Sequence, residues 1–167
     1  MVDSPRSSII TARNEGVHDY RPSAQLIALL IDVVSRGGNL LLDIGPTADG
    51  RIPVIMQQRL IDMGKWLEVN GEAIYGTRAW RQQKDGDSVF YTAKGDAVFA
   101  VCTAWPCDRL VLKAPKAAGD LKAIMLGIEG ALPAVTDTEG LSITMPALAP
   151  DALPDSSAWV IKLTGVE

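Results

Sequence analysis

Gly37-Gly38-Asn39-Leu40-Leu41-Leu42-Asp43-Ile44-Gly45-Pro46-Thr47-Ala48-Asp49-Gly50 holds three local signals in succession. The glycine pair supplies the positive φ at which helices end. The nearly continuous apolar run at residues 39–44 is the pattern of a strand buried on both faces, as in parallel sheets. Alternation along it sets Leu40, Leu42 and Ile44 on one side and Asn39, Leu41 and Asp43 on the other. Residues 45–50 form a cluster of turn-forming types.

Helical periodicity flanks the run on both sides. Between Pro22 and Gly37, the residues Leu26, Ile27, Leu30, Val33 and Val34 recur at spacings of three and four, with Ser23 placed to cap the start. After the turn cluster, Pro53 fits the first turn of a second helix. Its buried stripe is expected at Ile55, Leu60, Met63, Trp66 and Leu67, and Asn70-Gly71 stops it. Helix, buried strand, loop and helix are the grammar of an α/β barrel or a doubly wound sheet.

Between residues 76 and 84 the pattern changes. Short apolar segments at residues 88–93, 96–103, 109–112, 121–126, 141–145 and 158–163 alternate with turns such as Lys94-Gly95 and with Pro146, Pro150 and Pro154. Such spacing predicts an antiparallel sandwich, with a hairpin at Lys94-Gly95. The fold class is therefore α+β: a partial α/β segment of helix, strand and helix, then a β-sandwich.

Composition narrows the function. The chain has 167 residues, 47% of them hydrophobic, and a formal charge of −4 with Lys and Arg scattered. A nucleic-acid surface needs a concentrated basic patch, so that class is excluded. No apolar run approaches the roughly 20 residues that span a bilayer, and the chain reads as soluble. Residues 1–12 lack an apolar signal region and read as a leader; a first strand at 8–11 is the alternative. Cys102 and Cys107 with the single His18 make neither a disulfide framework nor a zinc site. Two thiols are expected, a bridge across the short turn between them being the other geometry.

Two motifs carry a family resemblance. The stretch 37–50, and Gly64-Lys65-Trp66-Leu67 followed by Asn70-Gly71-Glu72-Ala73-Ile74-Tyr75-Gly76-Thr77-Arg78, resemble segments of the α-L-fucosidases, glycoside hydrolase family 29. In the sandwich half, Val89-Phe90-Tyr91-Thr92, Met125-Leu126-Gly127 and Trp159-Val160-Ile161-Lys162-Leu163-Thr164-Gly165 are similar to the same family. The resemblance implies that residues 13–80 are the closing part of a TIM-type (β/α)8 catalytic barrel and residues 81–167 a C-terminal β-sandwich. It implies retaining hydrolysis of terminal α-L-fucose from glycans, with no metal or organic cofactor. Retaining glycosidases place two carboxyl groups about 5–5.5 Å apart. In the family the nucleophilic Asp, the acid/base Glu and the sugar-binding histidines all precede the part that Arg13 begins. His18 matches none of them, and no catalytic position is carried over.

The substitute candidates within the chain are Asp43 and Asp49. Asp43 lies near the C-terminal end of the expected strand, where barrel enzymes keep their chemistry. Its competing role is a buried polar group bonding the backbone of the 45–47 loop. For Asp49 the competing role is turn formation. Glu72 is expected to pair with Arg78 or with backbone, and Glu15 and Asp19 belong to a polar loop. Among the tryptophans, Trp66 and Trp159 are expected in the core, whereas Trp80 and Trp105 are candidates for stacking on a sugar.

A complete barrel takes about 250 residues, so residues 13–80 cannot enclose one. Their apolar faces are expected either to pack on the sandwich or to associate with another copy, making the chain a homo-oligomer. A non-catalytic carbohydrate-binding or oligomerising module is the alternative function.

Overall fold

A computed structural model describes residues 19–148 and 157–167. The leader at residues 1–12, the alternative strand at 8–11, Glu15, His18, Pro150 and Pro154 lie outside them. Two helices, α1 (Ser23–Ser35) and α2 (Val54–Asn70), precede nine strands. These are β1 (Arg78–Asp85), β2 (Val89–Lys94), β3 (Ala97–Cys102), β4 (Arg109–Leu112), β5 (Ala117–Met125), β6 (Ala131–Leu132), β7 (Ala134–Thr136), β8 (Leu141–Thr144) and β9 (Trp159–Val166).

The strands form a six-stranded sheet, ordered β1-β2-β3-β9-β5-β6, and a three-stranded sheet, ordered β4-β8-β7. Every pairing is antiparallel. Strand β3 shows how the layers stack. Val98, Ala100 and Cys102 join Tyr91, Ile161 and Leu163 against Leu110, Leu112, Leu141 and Ile143 of the small sheet. Alternate residues Ala97, Phe99 and Val101 turn the other way and pack with Phe90 and Val160 against Leu26, Ile27, Ile31, Met56 and Trp66 of the helices. The large sheet is thus covered on both faces, which explains why β3 is buried along its whole length. Each fully buried aliphatic or aromatic side chain contributes about 1.5–3 kcal/mol, so helices and sandwich share a substantial core.

The helical segment therefore packs on the sandwich, the first of the two arrangements open to it. Its buried face is Leu26, Ile27, Ile31 and Ser35, rotated from the expected stripe so that Leu30, Val33 and Val34 are only half-buried. In α2 the seat is Met56, Met63, Trp66 and Asn70, while Leu60 is exposed because its position turns away from the sheet. Helix α1 ends as the glycine pair dictates. Gly37, at φ +80, donates its N–H to the Val34 carbonyl at 2.9 Å, and Gly38 donates to that of Val33 at 2.9 Å. Ser23 does not cap it; Pro22 holds the cap position, and the Ser23 hydroxyl donates instead to Asp62 Oδ2 of α2 at 2.5 Å.

Two β features differ from the sequence expectation. Strand β1 was not anticipated, because its sequence RAWRQQKD has no apolar alternation and its burial pattern is that of a sheet edge. The short strands β6 and β7 give too little pattern to read. The Lys94-Gly95 hairpin forms with a two-residue loop between Lys94 and Ala97. Gly95 takes φ +61 at the first loop position, as a twist-matched hairpin turn requires.

The run 39–44 is the main departure. Its burial alternates, with Leu40, Leu42 and Ile44 half-buried and Asn39, Leu41 and Asp43 exposed, so the burial on both faces expected of a parallel strand is not found. Leu42 and Ile44 pack against the core beneath the helices. Yet it forms no ladder, since no neighbouring strand lies beside it among the described residues. Leu41 is left 83% exposed.

Candidate functional site

The loop after the run 39–44 is fixed by its own polar side chains. The Thr47 N–H donates to the Arg51 carbonyl at 2.7 Å, and the Thr47 hydroxyl accepts from the Arg51 N–H at 3.1 Å. Asp49 accepts from the Thr47 hydroxyl at 2.5 Å and pairs with the Arg51 guanidinium at 3.0 Å. Asp49 is thus engaged in building the turn. Asp43 is not the buried, backbone-bonded residue expected. It is exposed on the side of Leu41, and among the described residues it makes no hydrogen bond or ion pair. No contact joins Asp43 to Asp49 among those residues, so the chain does not assemble a carboxylate pair from them.

The two tryptophan candidates are both half-buried and both packed against the sandwich core. Trp80 lies 5.0 Å from the Tyr91 ring, centroid to centroid, and the Arg81 guanidinium lies over the Trp80 ring, 4.9 Å from its centroid. Trp105 meets Trp159 edge-on at 5.2 Å. Their rings are committed to aromatic neighbours, which leaves a reduced face for stacking on a sugar. Trp66 and Trp159 are core residues, as their positions on a helix stripe and a strand predicted.

Glu72 pairs with Lys162 of β9 at 2.6 Å rather than with Arg78, whose guanidinium donates to the Thr77 carbonyl at 3.0 Å. The reason lies in chain geometry. Glu72 sits in a 3-10 turn, residues Gly71–Ala73, that rests on the helix-side face of the large sheet, and Lys162 points to that face. Beside it the buried Thr92 hydroxyl donates to the Ala73 carbonyl at 2.8 Å. The seam between helices and sandwich is therefore stitched at several points. A cleft of about 400 Å³ opens along it, bounded by Leu30, Val34, Gly38, Leu40, Tyr75 and Arg78.

A polar cluster absent from the sequence reading lies at the other face. Asp85 Oδ2 accepts N–H groups from Lys113 and, at 3.2 Å, Ala114, and the Tyr91 hydroxyl at 3.2 Å. Burial, then the neighbouring Asp85 charge, pushes the Tyr91 hydroxyl far above its usual range. The group is a clamp between β1 and the β4–β5 connection. Only the β1 strand, itself unread, would have revealed it. Cys102 is buried and Cys107 exposed, and both are free thiols. Burial pushes the Cys102 thiol up to about 12.

Comparison with known proteins identifies the frame to which these parts belong. Residues 8–72 match the family model described as alpha-L-fucosidase, and residues 82–164 match the alpha-L-fucosidase C-terminal domain. The chain belongs to the α-L-fucosidase family. Tissue alpha-L-fucosidase of Homo sapiens is 46% identical over 159 residues, covering 93% of this chain and 34% of that protein. The alpha-L-fucosidase of Branchiostoma floridae is 42% identical over 158 residues, covering 92% of this chain and 35% of its own length. The crystal structure of Thermotoga maritima alpha-fucosidase in complex with fucose matches with a TM-score of 0.78 and 31% identity, over 91% of this chain and 36% of that one. This α-L-fucosidase family chain thus spans about a third of the length of the relatives it matches. No helix among the described residues is long and apolar enough to cross a membrane.

Proposed function

We propose that the chain is the closing part of a retaining α-L-fucosidase that removes terminal α-L-fucose from glycans. In this reading residues 13–80 complete a (β/α)8 catalytic domain and residues 81–167 form the C-terminal sandwich behind it. The observation that supports it is the ordered match of both halves to the two family models, at 46% identity to a tissue enzyme. Retaining hydrolysis uses one carboxylate to attack the anomeric carbon and a second to protonate the leaving oxygen and then activate water. Asp43 and Asp49 do not supply that pair, the one being exposed and the other tied into its turn. The catalytic carboxylates are assigned to the region of the relatives that this chain does not span.

The test is turnover of an aryl α-L-fucoside. The 167-residue chain alone is expected to show no hydrolysis above background. Robust turnover that survives repurification and falls on Asp43→Asn or Asp49→Asn would overturn this assignment.

A second reading concerns the chain by itself: a non-catalytic module that self-associates or binds carbohydrate. Leu41, with 83% of its surface exposed, favours self-association through the run 39–44. Light scattering that gives a monomer at all concentrations would remove it. Trp80 and Trp105 remain the residues to change if a glycan binds without being cleaved.

A further inference from the structure

We propose that the turn carrying Trp105 covers a subsite for a neutral saccharide ring, with Trp105 as its stacking face and the Trp159 indole N–H as its hydrogen-bond donor. The inference rests on the carbohydrate-binding reading above and adds the place, the donor and the charge preference.

The donor is the unusual group. Trp159 is only 7% exposed, and its indole nitrogen has no hydrogen-bond acceptor among the described residues. It is the one buried side-chain nitrogen or oxygen among them so left. Trp66, by contrast, finds the carbonyl of Ala158, one residue before Trp159, at 2.9 Å. A buried donor without an acceptor is costly and calls for a partner from outside the fold.

Trp105 covers that indole. It meets Trp159 edge-on, at 5.2 Å between centroids and 72° between planes, and is itself half-buried. Residues 103–108 carry it and are tied at both ends. The Thr103 N–H donates to the Ser88 carbonyl at 2.8 Å, and the Asp108 carbonyl accepts from the Met145 N–H at 2.9 Å. Between those ties no hydrogen bond to β2, β8 or β9 holds the turn among the described residues; Trp105 is held by packing. Within the turn, Cys107 is the one described non-glycine residue at positive φ, +58, a conformation that recurs at ligand clamps. Outward rotation of Trp105 about the two ties opens the Trp159 indole and leaves the ladders of both sheets intact.

The two indoles define the ligand. An aromatic face receives C–H surface, and an indole N–H requires an oxygen acceptor. A pyranose ring offers both on adjacent atoms. Residues 103–107 contain no Lys or Arg, Asp108 is exposed, and Arg109 is engaged by Asp137 and Glu139. An acidic sugar finds no free cation in the turn, so the ring is a neutral one. Trp80 is set apart by the Arg81 guanidinium lying over its ring.

The experiment titrates the 15N-labelled 167-residue chain with a neutral fucosylated trisaccharide and follows the indole N–H signals by NMR. The Trp159 signal is expected to move saturably and its exchange with water to slow by about tenfold or more. Trp159→Phe keeps the packing and removes the donor. It is expected to weaken binding by about tenfold while melting no lower than wild type, because no bond is lost in the unliganded chain. Trp105→Ala is expected to abolish saturation and Trp80→Ala to leave it unchanged. A carboxylated counterpart of the sugar is expected to bind about tenfold more weakly; equal affinity overturns the neutral assignment. Saturable binding that ignores Trp159→Phe, or leaves the Trp159 signal in place, overturns the subsite and leaves the carbohydrate-binding reading standing. No saturable binding by the wild-type chain removes both.

Discussion

The indole nitrogen of Trp66 donates a 2.9 Å hydrogen bond to the carbonyl oxygen of Ala158, linking α2 to the start of β9 across 92 residues of sequence. Both residues are buried, so neither group has water to fall back on. The bond joins the helical layer to the large sheet within the helix-side core.

Trp66→Phe keeps most of the packing but leaves the Ala158 carbonyl without its partner. The expected loss is about 1–3 kcal/mol. Trp66→Ala adds the cavity and is expected to cost about 3–5 kcal/mol. Urea denaturation with a constant slope would measure both; equal stability for wild type and Trp66→Phe would show that the bond does not bind the layers.

Asp85 is expected to matter as much, although it is not in the core. Asp85→Ala strands two backbone N–H groups and the Tyr91 hydroxyl, for an expected loss of about 1–3 kcal/mol. A double-mutant cycle with Tyr91→Phe separates the parts. Coupling is expected, because the two side chains share one hydrogen bond, and strict additivity would contradict the clamp.

Asp62 carries an acid-side prediction. The Ser23 hydroxyl, then the Gln58 amide, hold its carboxyl below the ordinary value, against a smaller opposing effect of burial; Arg59 and Lys65 add to the lowering. A carboxyl depressed on folding stabilises fully above its unfolded value of about 3.9 and loses that contribution as pH falls through the lower folded value. Ser23→Ala should raise the Asp62 midpoint in an NMR titration and flatten the fall in melting temperature below about pH 4. The effect is modest because the pair is part-exposed.

The thiols should report folding separately. Cys107 is exposed, whereas Cys102 is buried with its thiol pushed up to about 12. Burial disfavours the thiolate that reacts. An aromatic disulfide reagent at pH 8 is expected to label one thiol per chain at once and the second only with denaturant. Cys107→Ser should abolish the fast phase alone.

What the sequence made legible follows from burial. Both helices and the central strands β2, β3 and β9 were readable because their apolar residues face cores and leave periodic marks. Strand β1 left none: it is a charged edge paired to β2, and its anchoring side chains, Trp80 and Asp85, follow no alternating apolar pattern. The run 39–44 alternates as read, but burial on both faces was expected and one side is open, because a strand is defined by its neighbours, and neighbours are not in a local pattern. The same limit governs the site. Family motifs at 37–50 and 64–78 were legible, while the partner of Glu72 depended on a turn resting against β9, some 90 residues away. Asp43 was read against the role of a buried polar group bonding the 45–47 loop, whereas its own side of the backbone is the open one.

The two-faced burial of β3 changes how the chain can be divided. Cutting between residue 76 and β1 would strip the cover from Phe90, Phe99, Val101 and Val160, whose side chains lie beneath α1 and α2. The sandwich is consequently not an interchangeable module hung on a catalytic domain. Its helix-facing surface is an inherited half of a joint, and recombination or engineering that exchanges the sandwich between relatives must carry α1 and α2 along with it. The two family matches leave a boundary near residues 72–82; the buried core extends across it.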